Sequence, residues 1–311
     1  MATISVTGGA GFIGSNLVKK LSHLGHKVHV IDDFSSGLEM NLSEVNCRIH
    51  KVSILDVKNL EETLAESEYI VHLAAVGSVP RSIAFPETSF AVNTIGTFNV
   101  LEIARKHNIP LMFSSSSSVY GLNSELPKSE RMWMQPISPY AASKLSAESL
   151  VTSYMHSYSM KTLVLRFFNV FGPLQRSDHT YAAVIPKWIK AAMQGSPIEI
   201  YGDGSASRDF TYVEFVVNIL IDAMRREITF DTPVNVASGN SITLNQLADM
   251  LRLHFPNLEV RHMSERSGDV KHSKNNPKLL HNLFPDISEI AFEHGLSRTV
   301  EWSSQNLKRF A

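Results

Sequence analysis

The sequence predicts an α/β fold, a doubly wound parallel sheet followed by a smaller α/β lobe, and three observations carry that expectation. A β-prone run, Ile4 to Val6, leads into Gly8-Gly9-Ala10-Gly11 and then a helical pattern through Leu21. Short apolar runs recur at 26–31, 69–73, 111–114 and 162–168, each separated from the next by a helix-length segment. Strands alternating with helices imply a parallel sheet covered on both faces. After about Asn169 the rhythm breaks, as Pro173, Pro186, Pro197 and the Tyr201-Gly202-Asp203-Gly204 turn shorten the elements. The segments 213–225 and 233–237 read as a helix and a strand that return to the first lobe. The expected division is 1–170 plus about 209–238 for the sheet lobe, and 171–208 with 239–311 for the smaller one.

Composition narrows the function classes. The 311 residues suffice for one or two domains with a sizeable core. Hydrophobic residues at 43% and charged residues at 19% fit an ordinary globular chain rather than a disordered one. Lys plus Arg is 29 against 30 Asp plus Glu, so no general attraction to nucleic acid or an anionic membrane is expected. Cys47 is the single cysteine and can form no internal disulfide, which suits a reducing compartment. No apolar run approaches the roughly 20 residues of a membrane span. Met1-Ala2-Thr3-Ile4 lacks the basic and apolar regions of a signal peptide. A cytoplasmic globular protein is the expectation.

The first motif is Thr7-Gly8-Gly9-Ala10-Gly11-Phe12-Ile13-Gly14, with glycines at 8, 11 and 14 where a strand turns into a helix. A dinucleotide pyrophosphate needs that arrangement: a tight turn, backbone free of Cβ, and helix amides aimed at the anion. Asp32 follows Gly14 at about the 20-residue spacing expected of the carboxylate that binds the adenosine ribose. Such a carboxylate repels a 2′-phosphate, Asp33 adds a second negative charge, and no Arg follows closely, so NAD is favoured over NADP. Asp56-Val57 is a candidate for the adenine amine, or equally an ordinary surface turn.

The second motif is Tyr140-Ala141-Ala142-Ser143-Lys144, which sets a phenol and an ammonium one helical turn apart. Of eight tyrosines only Tyr140 has a lysine four residues on. Taking hydride from an alcohol carbon requires a base for the hydroxyl proton. Free tyrosine ionises at about 10, so a phenolate base near neutral pH needs about 4 kcal/mol of help. An adjacent ammonium and a positively charged nicotinamide are of the right order to supply it. Ser116 is placed to bond the substrate hydroxyl and relay its proton. His23, His26 and His29 span a helix end, a loop and a strand, and no carboxylate or cysteine cluster accompanies them; no metal is assigned.

The segments TGGAGFIG, SSSSSVYG, SPYAASK, LRFFNVFG, YAAVIPKW, YGDGSASRDFTY and RSGDVKHS together resemble the extended short-chain dehydrogenase/reductases that act on nucleotide sugars, the NAD-dependent epimerase/dehydratase family. The resemblance covers nearly the whole chain and is nearest to UDP-sugar C4-epimerases, with GSVPRS and YAAVIPKW similar to the branch acting on UDP-N-acetylglucosamine or its uronic acid. It implies a Rossmann-type cofactor lobe, a UDP-sugar-binding lobe and a homodimer formed through helices near 93–107 and 143–158.

By that resemblance Ser116, Tyr140 and Lys144 are catalytic. Gly8, Gly11, Phe12, Ile13, Gly14, Asp32, Asp33, Phe34, Ser36, Gly37, Asp56, Val57, Leu73, Ala74, Ala75, Asn93 and Phe168 contact NAD, together with Tyr140 and Lys144. Ser78, Ser117, Asn169, Ala183, Val184, Lys187, Trp188, Tyr201, Arg208, Arg266, Asp269 and Ser273 contact the UDP-sugar, beside Ser116 and Tyr140. Many glucose/galactose-type epimerases have a lysine in the loop after HLAA; this chain has Gly77 there. Nucleotide-sugar 4,6-dehydratases have Asp-Glu, and the decarboxylases a Glu, where this chain has Ser117-Ser118, and serines lack the protons that elimination needs. Oxidation followed by reduction at C4 is the expected reaction, the alternatives being a UDP-glucose or UDP-glucuronate 4-epimerase, a nucleotide-sugar dehydratase on the same scaffold, or a non-catalytic NAD-binding protein. Ser273 and Ala183 are small at positions that gate the sugar pocket, so N-acetylated hexoses, or the corresponding uronic acids, are expected substrates.

Overall fold

The computed structural model describes residues 1–178, 182–265 and 271–306. In chain order the first elements are β1 (Thr3–Thr7), α1 (Phe12–His23), β2 (Lys27–Ile31), β3 (Arg48–His50), α2 (Val57–Leu64), β4 (Tyr69–His72), α3 (Val79–Ala84), α4 (Pro86–Phe90), α5 (Thr97–Lys106), β5 (Leu111–Ser116), α6 (Pro139–Tyr158) and β6 (Thr162–Phe167). They are followed by β7 (Val170–Phe171), α7 (Val184–Met193), β8 (Ile198–Tyr201), β9 (Ser207–Asp209), β10 (Thr211–Tyr212), α8 (Val213–Arg225), β11 (Val234–Val236), β12 (Ser241–Thr243), α9 (Leu244–Arg252), β13 (Val260–Met263), α10 (Lys278–Leu283) and α11 (Phe292–Gln305).

The chain divides into two compact units. The first comprises Met1–Asn123, Glu130–Phe167 and Val217–Asn235; the second comprises Ser124–Ser129, Phe168–Val216 and Val236–Ala311. Phe168, Asn169 and the 124–129 segment therefore lie in the second unit.

The first unit is built on a seven-stranded sheet of order β11-β6-β5-β4-β1-β2-β3, with parallel pairing from β6 through β3. The sheet is parallel and doubly wound, the Rossmann-type order in which ligands bind beyond the carboxyl ends of the strands. All four residues of β4 and all six of β6 are buried, the polar His72, Thr162 and Arg166 included, as befits strands that helices cover on both faces. Leu17, Val18 and Leu21 of α1 point into this core, each contributing about 1.5–3 kcal/mol by burial. Helix α6 starts cleanly because the Ser138 hydroxyl accepts the Ala141 amide at 3.1 Å and Pro139 occupies the first turn; it ends at Ser159 in the left-handed conformation. Between α4 and α5 the chain winds one π-turn, Ala91–Gly96, which carries Asn93 into the buried interior.

The second unit is assembled from two-stranded pieces: β7 with β10 and β8 with β13 in parallel, β9 with β12 antiparallel. That matches the prolines and glycine turns of its sequence. Helix α9 opens with a reciprocal cap in which Thr243 and Gln246 bond each other's backbone amides.

Candidate active site

In the first unit, the glycine turn is closed by the Gly8 amide bonding Ile31 O at 2.8 Å and the Gly11 amide bonding Gly8 O at 3.1 Å. Gly8 has φ of +68°, and a Cβ there would lie 2.7 Å from Ala74 N. A Cβ on Gly14 would lie 2.2 Å from Gly8 O, so the helix approaches the turn more closely than any side chain permits. No side chain caps α1 and its first turn holds no acid, leaving the amides near Phe12 and Ile13 in the arrangement that receives a phosphate. Asp32 stands at the end of β2, followed by Asp33, Phe34, Ser36 and Gly37. Its Oδ2 accepts the Ala10 amide and its Oδ1 the Phe34 amide, both at 2.9 Å. Burial, the dominant influence, nonetheless pushes its ionisation up.

Asn93 acts as a clamp within the chain. Its Oδ1 accepts the Val76 amide at 2.8 Å, and its Nδ2 donates to Val76 O at 3.2 Å and Ser143 Oγ at 3.0 Å, tying the loop that holds Leu73, Ala74 and Ala75 to α6. Beneath that loop His72 lies between Thr7 Oγ1 at 2.6 Å and Thr97 Oγ1 at 3.0 Å, and burial drives it down to about 3, so it is neutral. Asp56 caps α2, accepting from the Asn59 amide and, at 2.6 Å, from Asn59 Nδ2, while Val57 is exposed. Ser78 caps α3 at a φ of +95°.

Ser116 ends β5, and Tyr140 and Lys144 sit in the first turns of α6. The Tyr140 phenol is hydrogen-bonded to Ser116, whose Oγ also receives Ser118 Oγ at 2.8 Å and the Ser118 amide at 3.2 Å. Ser117 begins the 3-10 turn Ser117–Tyr120. Lys144 is 2% exposed, with its ammonium 4.5 Å from the centre of the Phe113 ring. Within the chain alone the ionisations run against the expected base. Burial pushes Tyr140 up, the Ser116 bond opposing it, and burial pulls Lys144 down to about 7, the charge of Glu148 opposing it. The lowered phenol that sequence reasoning anticipates is thus not intrinsic to the folded chain; it needs further positive charge beside the hydroxyl. Sequence reasoning missed Glu148 and its buried partner Arg166, although a third polar residue one turn beyond Lys144 is visible in the helical spacing.

The second unit holds a cavity of about 260 Å³ whose walls include Val184, Lys187, Trp188, Tyr201 and Arg208. Ala182, Glu199, Ala206, Leu244, Glu265 and Lys271 complete it. Lys187 pairs with Glu199 at 3.3 Å, the Tyr201 hydroxyl donates to the same carboxylate at 3.2 Å, and Lys271 pairs with Glu265 at 3.3 Å. Trp188, only 2% exposed, is a wall of this cavity rather than a free stacking surface. Arg208 Nη1 donates to Ser207 O at 2.9 Å and Lys271 O at 3.2 Å. Behind it the fully buried Asp209 accepts from Ser238 Oγ, the Gly239 amide and the Asn275 amide, and burial still pushes its carboxyl up to about 6. Asn169, at a φ of +35°, donates to Asp209 O. Ala183 caps α7, the Phe168 amide bonds Val236 O, and the Ser273 amide bonds Ser207 O at 3.0 Å. Arg266 and Asp269 lie outside the described residues. Among the described residues there is no group of three or more His, Cys, Asp or Glu able to hold a metal ion, and no helix long and apolar enough to cross a membrane.

Comparisons with known proteins place this geometry. Residues 4–237 match the model of the NAD dependent epimerase/dehydratase family. A probable UDP-glucuronate 4-epimerase of Rhizobium meliloti is 32% identical, the match covering 98% of this chain and 97% of that protein. UDP-glucuronic acid decarboxylase 1 of Xenopus tropicalis is also 32% identical, over 99% of this chain and 73% of that protein. The solved UDP-N-acetylglucosamine 4-epimerase of Methanobrevibacter ruminantium, in complex with UDP-N-acetylmuramic acid, superposes with a TM-score of 0.93 at 38% identity over 98% of each chain. With the glycine turn, Asp32 and the Ser116–Tyr140–Lys144 cluster already assembled in one unit, the chain is a member of the NAD-dependent epimerase/dehydratase family, and NAD is its cofactor.

Proposed function

We propose that this protein is a UDP-sugar 4-epimerase that interconverts UDP-N-acetylglucosamine and UDP-N-acetylgalactosamine, or the corresponding uronic acids. The observation that carries the reading is the Ser116–Tyr140–Lys144 cluster followed by Ser117 and Ser118, which leaves a single base and no carboxyl at the two positions after Ser116. Bound NAD supplies an acceptor that takes hydride from the sugar C4 and returns it. The glycine turn holds the cofactor's pyrophosphate, and Asp32 accepts from the adenosine ribose. Tyr140 removes the C4 hydroxyl proton and gives it back, Ser116 orients that hydroxyl, and Lys144 lends the positive charge that favours the phenolate. Lys187, Arg208 and Lys271 suit the diphosphate, and a firm grip on UDP leaves the 4-keto sugar free to turn over before reduction.

Decarboxylation or dehydration is the second reading, favoured by the likeness to a UDP-glucuronic acid decarboxylase and disfavoured by the serines at 117 and 118. Incubation with a panel of UDP-sugars and chromatographic separation of the products decides between them. Epimer formation without net NADH supports the proposal; a pentose or an unsaturated sugar as product overturns it. Tyr140→Phe abolishes turnover and leaves NAD bound.

The active form we propose is a homodimer. Ile83 is 64% exposed, Phe85 57% and Ile95 54%, and Phe90 and Phe98 continue the same apolar stretch of chain across α3, α4, the π-turn and α5.

A further inference from the structure

Glu148 follows Lys144 by one turn of α6 and Tyr140 by two, so the three share a helix face. Its carboxylate is fully engaged. Oε2 accepts from Ser115 Oγ at 2.6 Å and Arg166 Nε at 3.0 Å, and Oε1 accepts from Arg166 Nη2 at 2.6 Å. The Arg166 and Glu148 side chains are 1% and 4% exposed. Arg166 also donates to the Tyr120 hydroxyl at 2.8 Å and to Glu130 O at 3.0 Å, and Tyr120 donates to Asn235 at 2.8 Å. Stability does not account for so costly an arrangement, since a buried ion pair often does no better than well-packed apolar residues of the same volume. Lys144 stands over an aromatic ring where an ammonium loses most of its water, and a lysine that drops its proton there leaves the phenol without a cation.

We propose that Glu148 is a positioning residue for the acid–base pair: its carboxylate, held by Ser115 and shared with Arg166, keeps the Lys144 ammonium charged beside the Tyr140 phenol. The proposal rests on the role given above to Tyr140 and Lys144. Charged groups on the neighbouring β4, β6 and α5 do not fill the part. His72 on β4 is neutral, held down to about 3, and brings no charge. Arg166 on β6 is a cation that competes for the same carboxylate. Glu102 on α5 is taken up by Arg105 and by the Tyr154 hydroxyl, farther along α6. Glu148 is the anion whose charge opposes the desolvation of Lys144.

Two readouts on the holoenzyme test this: near-ultraviolet difference titration of the phenol, with Tyr140→Phe identifying its component, and the pH profile of turnover. Glu148→Gln removes the charge and leaves one acceptor oxygen for Ser115 and Arg166 Nε, its amide NH2 now facing Arg166 Nη2. The expected result is that the alkaline limb of turnover moves down by about one pH unit while the Tyr140 phenol ionises at higher pH. Glu148→Asp restores both. Arg166→Gln, which frees the carboxylate for Lys144, moves the limb upward and carries the test should Glu148→Gln fail to fold. A Glu148→Gln enzyme with lower melting temperature or kcat but unmoved limb and phenol overturns the proposal, as does a phenol that ionises at lower pH or an Arg166→Gln limb that stays or falls. The phenol titration needs no substrate, so a wild-type protein that turns over no UDP-sugar yet shows the shift contradicts the epimerase reading and leaves this one standing.

Discussion

The Ala10 amide donates to Asp32 Oδ2 at 2.9 Å, fastening the glycine turn to the end of the second strand. The Phe34 amide holds the other oxygen, so the carboxylate is oriented in advance for the ribose it is proposed to bind. Burial and the neighbouring Asp33 both favour its protonated form, and it takes up its proton at a higher pH than an ordinary aspartate. Cofactor affinity is therefore expected to fall on acidification before that of a site with an unperturbed carboxylate. Asp32→Asn should weaken NAD about tenfold at neutral pH and remove this part of the pH dependence, read by calorimetric titration of the cofactor-free protein.

Gly14 is the tightest point of the turn. Because a Cβ would meet the Gly8 carbonyl at 2.2 Å and that atom is backbone, Gly14→Ala must displace the turn or the helix. We expect a drop of about 2 kcal/mol or more in stability by denaturant unfolding, with cofactor affinity lowered at least about tenfold. Gly77→Ala, whose Cβ would meet nothing within 4 Å, is the control and should leave unfolding unchanged.

Asp209 gives a signed prediction for stability. Its carboxyl is raised by burial to about 6 from an unfolded value of 3.8, so the folded state binds a proton the unfolded chain lacks between those values. Its favourable contribution is complete below about 3.8 and is lost as pH rises through about 6. The stability difference between wild type and Asp209→Asn should therefore shift in favour of wild type as pH falls from 6 to 4, by up to about 3 kcal/mol. Chemical denaturation at a series of pH values measures it, and a difference flat with pH contradicts the assignment.

Ser273 tests the sugar preference. Its backbone is pinned, the amide to Ser207 O and the carbonyl to Ser241 Oγ, both at 3.0 Å, so a substitution there alters the side chain without freeing the segment. Ser273→Tyr should lower kcat/KM at least about tenfold for N-acetylated UDP-sugars and spare the plain hexoses. Equal losses for both classes, or no change in either, contradict a gate at this position.

The apolar stretch around Phe98 tests the dimer. Phe98 is 41% exposed and meets the edge of Tyr154 at a ring-centroid distance of 6.5 Å. Phe98→Glu should convert a dimer to a monomer by light scattering with little change in melting temperature. A wild-type monomer at micromolar concentration excludes the proposal.

What the sequence determined was whatever short-range spacing encodes. The three glycines after a strand, the phenol and ammonium one turn apart and the alternation of apolar runs specify a dinucleotide turn, a helix face and a parallel sheet, because each depends on a local period of the backbone. The broken rhythm after Asn169 likewise announced the short paired strands of the second unit. Tertiary structure decided everything that depends on distant partners and on water being excluded. Only folding brings Arg166 of β6 against Glu148 of α6, sets Asn93 between Val76 and Ser143, and gathers Glu199 and Lys271 into the cavity with Arg208. Within the chain alone the same burial pushes Tyr140 up and brings Lys144 down to about 7, since the cost of a charge is set by the atoms that replace its solvent and not by the letters beside it in the chain.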